Sequence, residues 1–251
     1  MIYLRFTAAG RSRYGILRGK TVSEITPSYF KAFKPTGKKF SLSKVKVLAP
    51  SVPSKIIAMG LNYLGHIQEM KMPMPMAPVV FLKSPSAVIA HNENIVYPAM
   101  SNKVDLEAEL AVIIKSECKD VSPANAQKHI LGYTCFNDVT ARDLQKADGQ
   151  WARSKSFDTF APVGPWIVDN IDPNGLQISS YVNGELKQRS NTSDLIFKVD
   201  EIVSFVSRVM TLFPGDIIAT GTPSGVCGIF PGDEVTVKIE KIGALRNKVA
   251  K

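Results

Sequence analysis

The chain has 251 residues, 45% hydrophobic and 21% charged, an ordinary globular composition that excludes a collagen-like, low-complexity or wholly disordered protein. Cys118, Cys135 and Cys227 are scattered without CxxC spacing, which argues against a disulfide framework or a zinc site and fits a reducing cytoplasm. The net charge of +9 sits in residues 1–50, where 11 Lys and Arg meet one acid, Glu24; residues 51–251 are close to neutral.

The opening MIYLRFTAAGRSRYG breaks its apolar residues with charges and does not read as a secretory signal. No apolar run approaches the about 20 residues of a membrane-spanning helix, so no membrane association is expected. The basic segment is a solvated face, a field that steers small anions, or a nucleic-acid footprint. No aromatic stripe or known module supports nucleic acid as a partner.

Ile2–Thr7 and Tyr14–Arg18 alternate apolar and polar residues around turn-forming Gly10 and Gly19 and are expected as strands. Residues 26–54, rich in Lys, Ser and Pro, read as a connector, with Pro50 and Pro53 marking a boundary. Ser54–Met59 is expected as a buried strand. A short helix near Tyr63–Met70 should lead into a loop holding Met70, Met72, Met74 and Met76 among three prolines.

From residue 79 strands dominate: Val79–Lys83, Val104–Ile114, Pro165–Val168 and Ile178–Val182. Asn183-Gly184 fits a two-residue hairpin turn with positive φ at both positions. Two PGD turns introduce Ile217–Thr220 and Glu234–Ile239. Helices are expected at Pro123–His129, with Ser122 as N-cap, and at Asp200–Leu212. Strands outnumber helices and do not alternate with them. The fold class is therefore mainly β (α+β), not doubly wound α/β.

Three segments carry candidate chemistry. In Asp105-Leu-Glu-Ala-Glu109, residues two apart face one side of a strand. Asp105, Glu107 and Glu109 then form either a wet edge or an oxygen-donor site for a divalent cation. Asp138 follows an apolar run and precedes a helix, as a cap or as a functional acid. His66 and Glu69 are helical neighbours, either a surface ion pair or a dyad that takes a proton from water. Gly221-Thr-Pro-Ser-Gly225 follows an apolar strand, where backbone N–H groups can meet an anion. By residue type alone Lys155 is a surface lysine.

Eight segments in order, GLNYLGHIQE, FLKSPSA, DLEAELAVII, NDVTARD, KSFDTFAPVGP, VNGELKQ, DLIF and PGDIIATGTPSGV, resemble the catalytic domain of the fumarylacetoacetate hydrolase family. The resemblance covers roughly residues 55–249 and is closest to the short members of that family. It implies a mixed β-sandwich roll with a few short helices at 51–251, behind a small basic β-containing domain at 1–50. It also implies a homodimer that binds Mg²⁺ or Mn²⁺.

The family's metal carboxylates fall on Glu107, Glu109 and Asp138, with Asp105 standing behind them. Its catalytic lid dyad falls on His66 and Glu69, its charge-stabilising lysine on Lys155, and its substrate contacts on Arg142, Gln145 and Thr222. The implied substrate is a small anionic 2-oxo acid or its enol, and the implied reaction is hydrolytic C–C cleavage of an acylpyruvate. Isomerisation of a hydroxylated heptadienedioate or decarboxylation of an oxaloacetate-type acid are alternatives at the same site. AHNENIVYP departs from the family's glycine-proline turn, and the methionine stretch 70–76 is this chain's own. Those methionines pack a flexible lid against an apolar part of the substrate or against the core, and the core is the expectation.

Overall fold

The computed structural model describes all 251 residues, with 44% of them in strands and 18% in helices. The N-terminal strands are β1 (Ile2–Ala8), β2 (Arg11–Arg18), β3 (Thr21–Thr26), β4 (Lys34–Ser41) and β5 (Lys46–Val47). The segment 26–54 is therefore more than a connector. Strand β4 hides from sequence reading because it is an edge strand: it pairs with β3 only and exposes nearly every residue, so no apolar alternation marks it.

Next come β6 (Ile56–Gly60), α1 (Leu64–Met70), β7 (Val79–Lys83), β8 (Val88–Ile89), β9 (Asn94–Val96), β10 (Val104–Leu106) and β11 (Ala108–Ile114). They are followed by α2 (Pro123–Ala126), β12 (Ile130–Asn137), β13 (Thr140–Ala141), α3 (Arg142–Asp148), α4 (Ala152–Lys155) and β14 (Ala161–Val168). The chain closes with β15 (Gln177–Val182), β16 (Glu185–Asn191), α5 (Val199–Val209), β17 (Ile217–Ala219), β18 (Cys227–Ile229), β19 (Glu234–Ile239) and β20 (Gly243–Ala250).

A twelve-stranded sheet runs β4-β3-β2-β1-β14-β12-β11-β17-β6-β7, with β5 on β1 and β8 on β14. Strand β1 joins β14 through Ile2↔Val168 and Tyr3↔Ile167, so the basic N-terminal strands continue the main sheet. A five-stranded sheet, β16-β15-β19-β20-β9, packs over β11, β12 and β14. Strands β11 and β12 are buried along their whole length, which is why both read as near-continuous apolar runs rather than alternating ones. No helix is long and apolar enough to cross a membrane.

Several local expectations meet a different outcome. The helix at Pro123 turns 3₁₀ from Gln127 to His129. Ser122 sits at its N-cap with extended backbone, but its hydroxyl accepts from Asn125 Nδ2 at 3.1 Å and caps no backbone amide. The hairpin turn is as expected, with φ of 52° at Asn183 and 82° at Gly184. Helix α5 spans Val199–Val209 and buries Ile202, Val203 and Val206. The methionines do not enter the core: Met70, Met72, Met74 and Met76 are all exposed, Met76 fully. After α1 the chain turns through Lys71 in the left-handed region, and residues 71–78 join no strand or helix.

The most consequential difference lies at Glu107. Val104–Ile114, expected as one strand, is two. Val104 and Asp105 pair with β13 and β18, whereas Ala108 onward pairs with β12. Side chains take the two amides at the break. Asn137 Oδ1 accepts from Glu107 N at 3.1 Å, and Gln188 Oε1 accepts from Ala108 N at 2.9 Å.

Candidate active site and metal centre

The acidic segment is buried, so its wet-edge reading fails. Asp105, Glu107, Glu109 and Asp138 are each at most 5% exposed. Burying carboxylates is costly unless they are paired or hold a metal. Carboxylate oxygens of Glu107, Glu109 and Asp138 lie within 4.8 Å of one another. Asp138 caps no helix; it follows β12, and its N–H donates to Glu107 O at 2.9 Å. Asp105 stands apart and accepts from Arg142 Nε at 2.8 Å.

Three cations answer these four carboxylates. Lys155 Nζ bridges Glu107 Oε2 at 2.9 Å and Asp138 Oδ2 at 2.6 Å. Arg142 Nη2 donates to Glu107 Oε1, and its Nη1 donates to Gln145 Oε1 at 2.6 Å. Lys83, absent from the sequence-based site, donates to Asp138 Oδ1 at 2.5 Å and to Val139 O at 3.1 Å. Lys155 is thus no surface lysine: helix α4 delivers it, 2% exposed, into the acidic cluster.

Protonation follows from these contacts. Burial alone would raise Glu107, but Lys155 and Arg142 outweigh it and hold the carboxyl at about 2. No cation hydrogen-bonds the Glu109 carboxyl. Burial and the negative charges of Asp138 and Glu107 push it well above the ordinary carboxylate value, against a backbone hydrogen bond from Gly221 and the nearby charge of Lys155. For Lys83 burial lowers the pKa despite Asp138, whereas for Lys155 the attraction of Asp138 and Glu107 prevails over burial and raises it. Four carboxylates against three cations leave Glu109 without a hydrogen-bonded cation, and its raised pKa means that it holds a proton more readily than an ordinary carboxylate.

The glycine loop contributes backbone. Gly221 N donates to Glu109 Oε2 at 2.8 Å. Gly221 has φ of 103°, and a Cβ there would lie 2.9 Å from Asn62 Cβ, so the close approach requires glycine. Thr222 Oγ1 donates to Ala108 O at 2.9 Å and accepts from Gln188 Nε2 at 2.8 Å. Its one hydroxyl proton is therefore spent on the protein.

A cavity of about 100 Å³ opens over these groups. Glu107, Glu109, Asp138, Lys155, Arg142, Gln145, Thr222 and His66 all line it, so eight of the nine sequence-predicted residues share one space. Its apolar side carries Phe81 and Trp151, edge to face at 5.1 Å, with Met70 and Met72 at the mouth. Glu69 is the exception. His66 Nδ1 and Glu69 Oε2 are 3.5 Å apart and not hydrogen-bonded, and both Glu69 oxygens accept instead from Gly225 N at 3.3 Å.

Lys83, Asn137 and Gln188 are the residues that sequence reasoning missed. The only signals were a lysine closing the apolar run VVFLK and amides inside the quoted NDVTARD and VNGELKQ segments.

Comparison with known proteins identifies the family of the chain. Residues 55–250 match the family model described as fumarylacetoacetate (FAA) hydrolase C-terminal, and residues 1–50 match a Rv2993c-like N-terminal model. An oxaloacetate tautomerase, FAHD2B, mitochondrial, of Bos taurus is 44% identical over 221 residues, covering 82% of this chain and 70% of its own length. The crystal structure of 2-hydroxyhepta-2,4-diene-1,7-dioate isomerase from Mycobacterium marinum is 44% identical, with a TM-score of 0.94 over 100% of this chain and 98% of that one. Maleylpyruvate hydrolase from Sphingobium sp. SYK-6, solved with manganese(II) and pyruvate, is 30% identical, with a TM-score of 0.83 over 100% and 99% of the two chains.

Proposed function

The chain belongs to the fumarylacetoacetate hydrolase family, and we propose that it is a divalent-metal-dependent enzyme that moves a proton at C3 of a small 2-oxo acid, interconverting keto and enol forms. The observation that carries this reading is the buried convergence of Glu107, Glu109 and Asp138 under a cavity that holds Lys155, Arg142 and His66. Hard oxygen donors suit Mg²⁺ or Mn²⁺, and a cation would supply the positive partner that Glu109 lacks, so the residues fit the group. Bound there, the cation supplies Lewis-acid polarisation of a 2-oxo oxygen.

The chain's own groups do the rest. Arg142, steadied by Asp105 and Gln145, offers its guanidinium to the substrate carboxylate. The His66 imidazole takes the C3 proton. The C–H electron pair becomes the C2–C3 double bond, and negative charge grows on the 2-oxo oxygen. Lys155, inside the acidic cluster, answers that charge, a contribution of about 3–4 kcal/mol for a well-placed group. Phe81, Trp151 and Met72 keep bulk water off the reacting carbons. Delivery of that proton to the 2-oxo oxygen gives the enol, and the reverse sequence, with the proton returned to C3, restores the ketone.

Hydrolysis of an acylpyruvate is the second reading, favoured by the closeness of His66 and Glu69. It requires Glu69 to leave Gly225 N and take a proton from the water that attacks the C4 carbonyl. In the present geometry Glu69 does not line the cavity, which supports the proton-transfer reading. Isomerisation of a dienedioate and decarboxylation of an oxaloacetate-type acid pass through the same enolate. A homodimer is part of the proposal and is tested by light scattering.

The reaction is tested with Mg²⁺ and a panel of acetylpyruvate, fumarylpyruvate, oxaloacetate and a hydroxydienedioate, following enol absorbance and identifying products by NMR. Enol loss without C–C cleavage, unaffected by Glu69→Gln, is the expected result. Pyruvate plus a carboxylic acid, lost in Glu69→Gln, establishes the second reading. Turnover that survives both EDTA and Glu107→Gln contradicts both.

A further inference from the structure

The VNGELKQ segment is accounted for only in part by its hairpin turn, because its last residue reaches the site. Gln188 lies on β16 opposite Ser180 of β15, in the five-stranded sheet, yet its side chain is 1% exposed and directed at the acidic strand. All four of its hydrogen-bonding positions are filled. Oε1 accepts from Ala108 N and from Ser180 Oγ, both at 2.9 Å. Nε2 donates to Thr222 Oγ1 and to Pro223 O, both at 2.8 Å. Ala108 N can only donate and Pro223 O can only accept, so the amide has one possible orientation.

Ala108 is the residue between Glu107 and Glu109. Its N–H is held by Gln188, and its carbonyl accepts from Thr222 Oγ1 at 2.9 Å, the hydroxyl that Gln188 also holds. The N–H belongs to the peptide plane joined to Glu107, and the carbonyl to the plane joined to Glu109. A closed ring of Gln188, Thr222 and Ala108 therefore fixes the two peptide planes that aim these carboxylates. It acts where strand pairing is interrupted and no ladder hydrogen bond serves Ala108 N.

We infer that Gln188 is the positioning residue of the cation site: it aims Glu107 and Glu109 at Asp138 and locks the Thr222 loop to the same strand. This rests on the proposed role of Glu107, Glu109 and Asp138 as cation ligands. Outer partners that orient ligands typically change metal affinity 10- to 100-fold when removed.

The test is Mn²⁺ affinity of the full chain by isothermal titration, with the thermal midpoint in EDTA measured in parallel. Gln188→Met keeps the volume, removes all four hydrogen bonds and should weaken Mn²⁺ binding by about tenfold. Gln188→Asn, which keeps the amide but withdraws it by one methylene, should weaken binding in the same direction and serves if the methionine variant fails to fold. Asn247→Ala is the control for mere loss of stability: Asn247 is buried and donates to Ala90 O and Glu93 O, away from the site. It should lower the midpoint and leave Mn²⁺ affinity within about twofold, well under the change expected from an orienting partner. Wild-type affinity in a folded Gln188 variant, or an equal loss in Asn247→Ala, overturns the inference. Absence of Mn²⁺ binding by the wild-type chain would instead overturn the metal-site reading beneath it.

Discussion

Replacing Lys83 with methionine separates charge from volume at the centre of the site. The Lys83 side chain is fully buried, with Nζ 2.5 Å from Asp138 Oδ1, and methionine fills most of its stem. The cavity contribution is therefore small, and the loss is electrostatic. Breaking a buried ion pair by removing one partner costs about 3–5 kcal/mol. Asp138 keeps Lys155 at 2.6 Å, which places the loss near the lower end, about 3 kcal/mol. For a chain of this length that is a fall of about 6 °C or more in thermal midpoint. The assay is calorimetry in EDTA and again in saturating Mn²⁺. A bound cation restores the missing positive charge, so the deficit should shrink in Mn²⁺, and Mn²⁺ affinity should rise because a neighbouring like charge is gone. A deficit identical in both conditions would refute the electrostatic reasoning, as would a midpoint in EDTA at or above that of the wild type.

Other perturbations follow from the same charges. Glu109→Gln replaces the one carboxyl without a hydrogen-bonded cation by a neutral amide, so the EDTA form should be at least as stable as wild type at pH 7, while Mn²⁺ binding should drop by more than about tenfold, as for a lost ligand. Calorimetry and titration on one sample show both. Because folding raises the pKa of Glu109, the folded state holds a proton that the unfolded state has already released. Stability of the EDTA form from this group is full below the unfolded value near 4.5 and declines as pH rises through the folded one. Glu109→Gln should remove that slope, and pH-dependent urea titrations check it. Gly221→Ala forces a Cβ against Asn62 and a strained φ, costing about 1–3 kcal/mol and pulling an amide from Glu109. A variant with unchanged urea midpoint and Mn²⁺ affinity would show that the loop is not held as described.

What was legible in the sequence was what repeats along it. Strands such as Val79–Lys83 and Glu234–Ile239 and the Asn183-Gly184 turn follow from local pattern. Strand β4 was not legible, because an exposed edge strand of Lys, Gly and Thr has no apolar period. Spacing placed Asp105, Glu107 and Glu109 on one face but gave no sign that the face was buried. That depends on β12, α3 and α4 bringing Asp138, Arg142 and Lys155 from distant parts of the chain. Lys83 and Gln188 escaped because their partners lie 55 and 80 residues away in sequence. Their pattern is that of an ordinary strand end and an ordinary hairpin arm. The methionines misled for the opposite reason: an apolar residue type suggested the core, but the proline-broken stretch joins no strand or helix and stays exposed.

The most direct measurement follows the methyl protons of pyruvate by NMR in D₂O, with the protein and Mg²⁺. If the site makes and returns an enolate of a 2-oxo acid, the C3 signal should fade through exchange with solvent deuterium. The exchange should stop in EDTA and in Glu107→Gln. Exchange no faster than without protein, or exchange that persists in Glu107→Gln, would contradict the account.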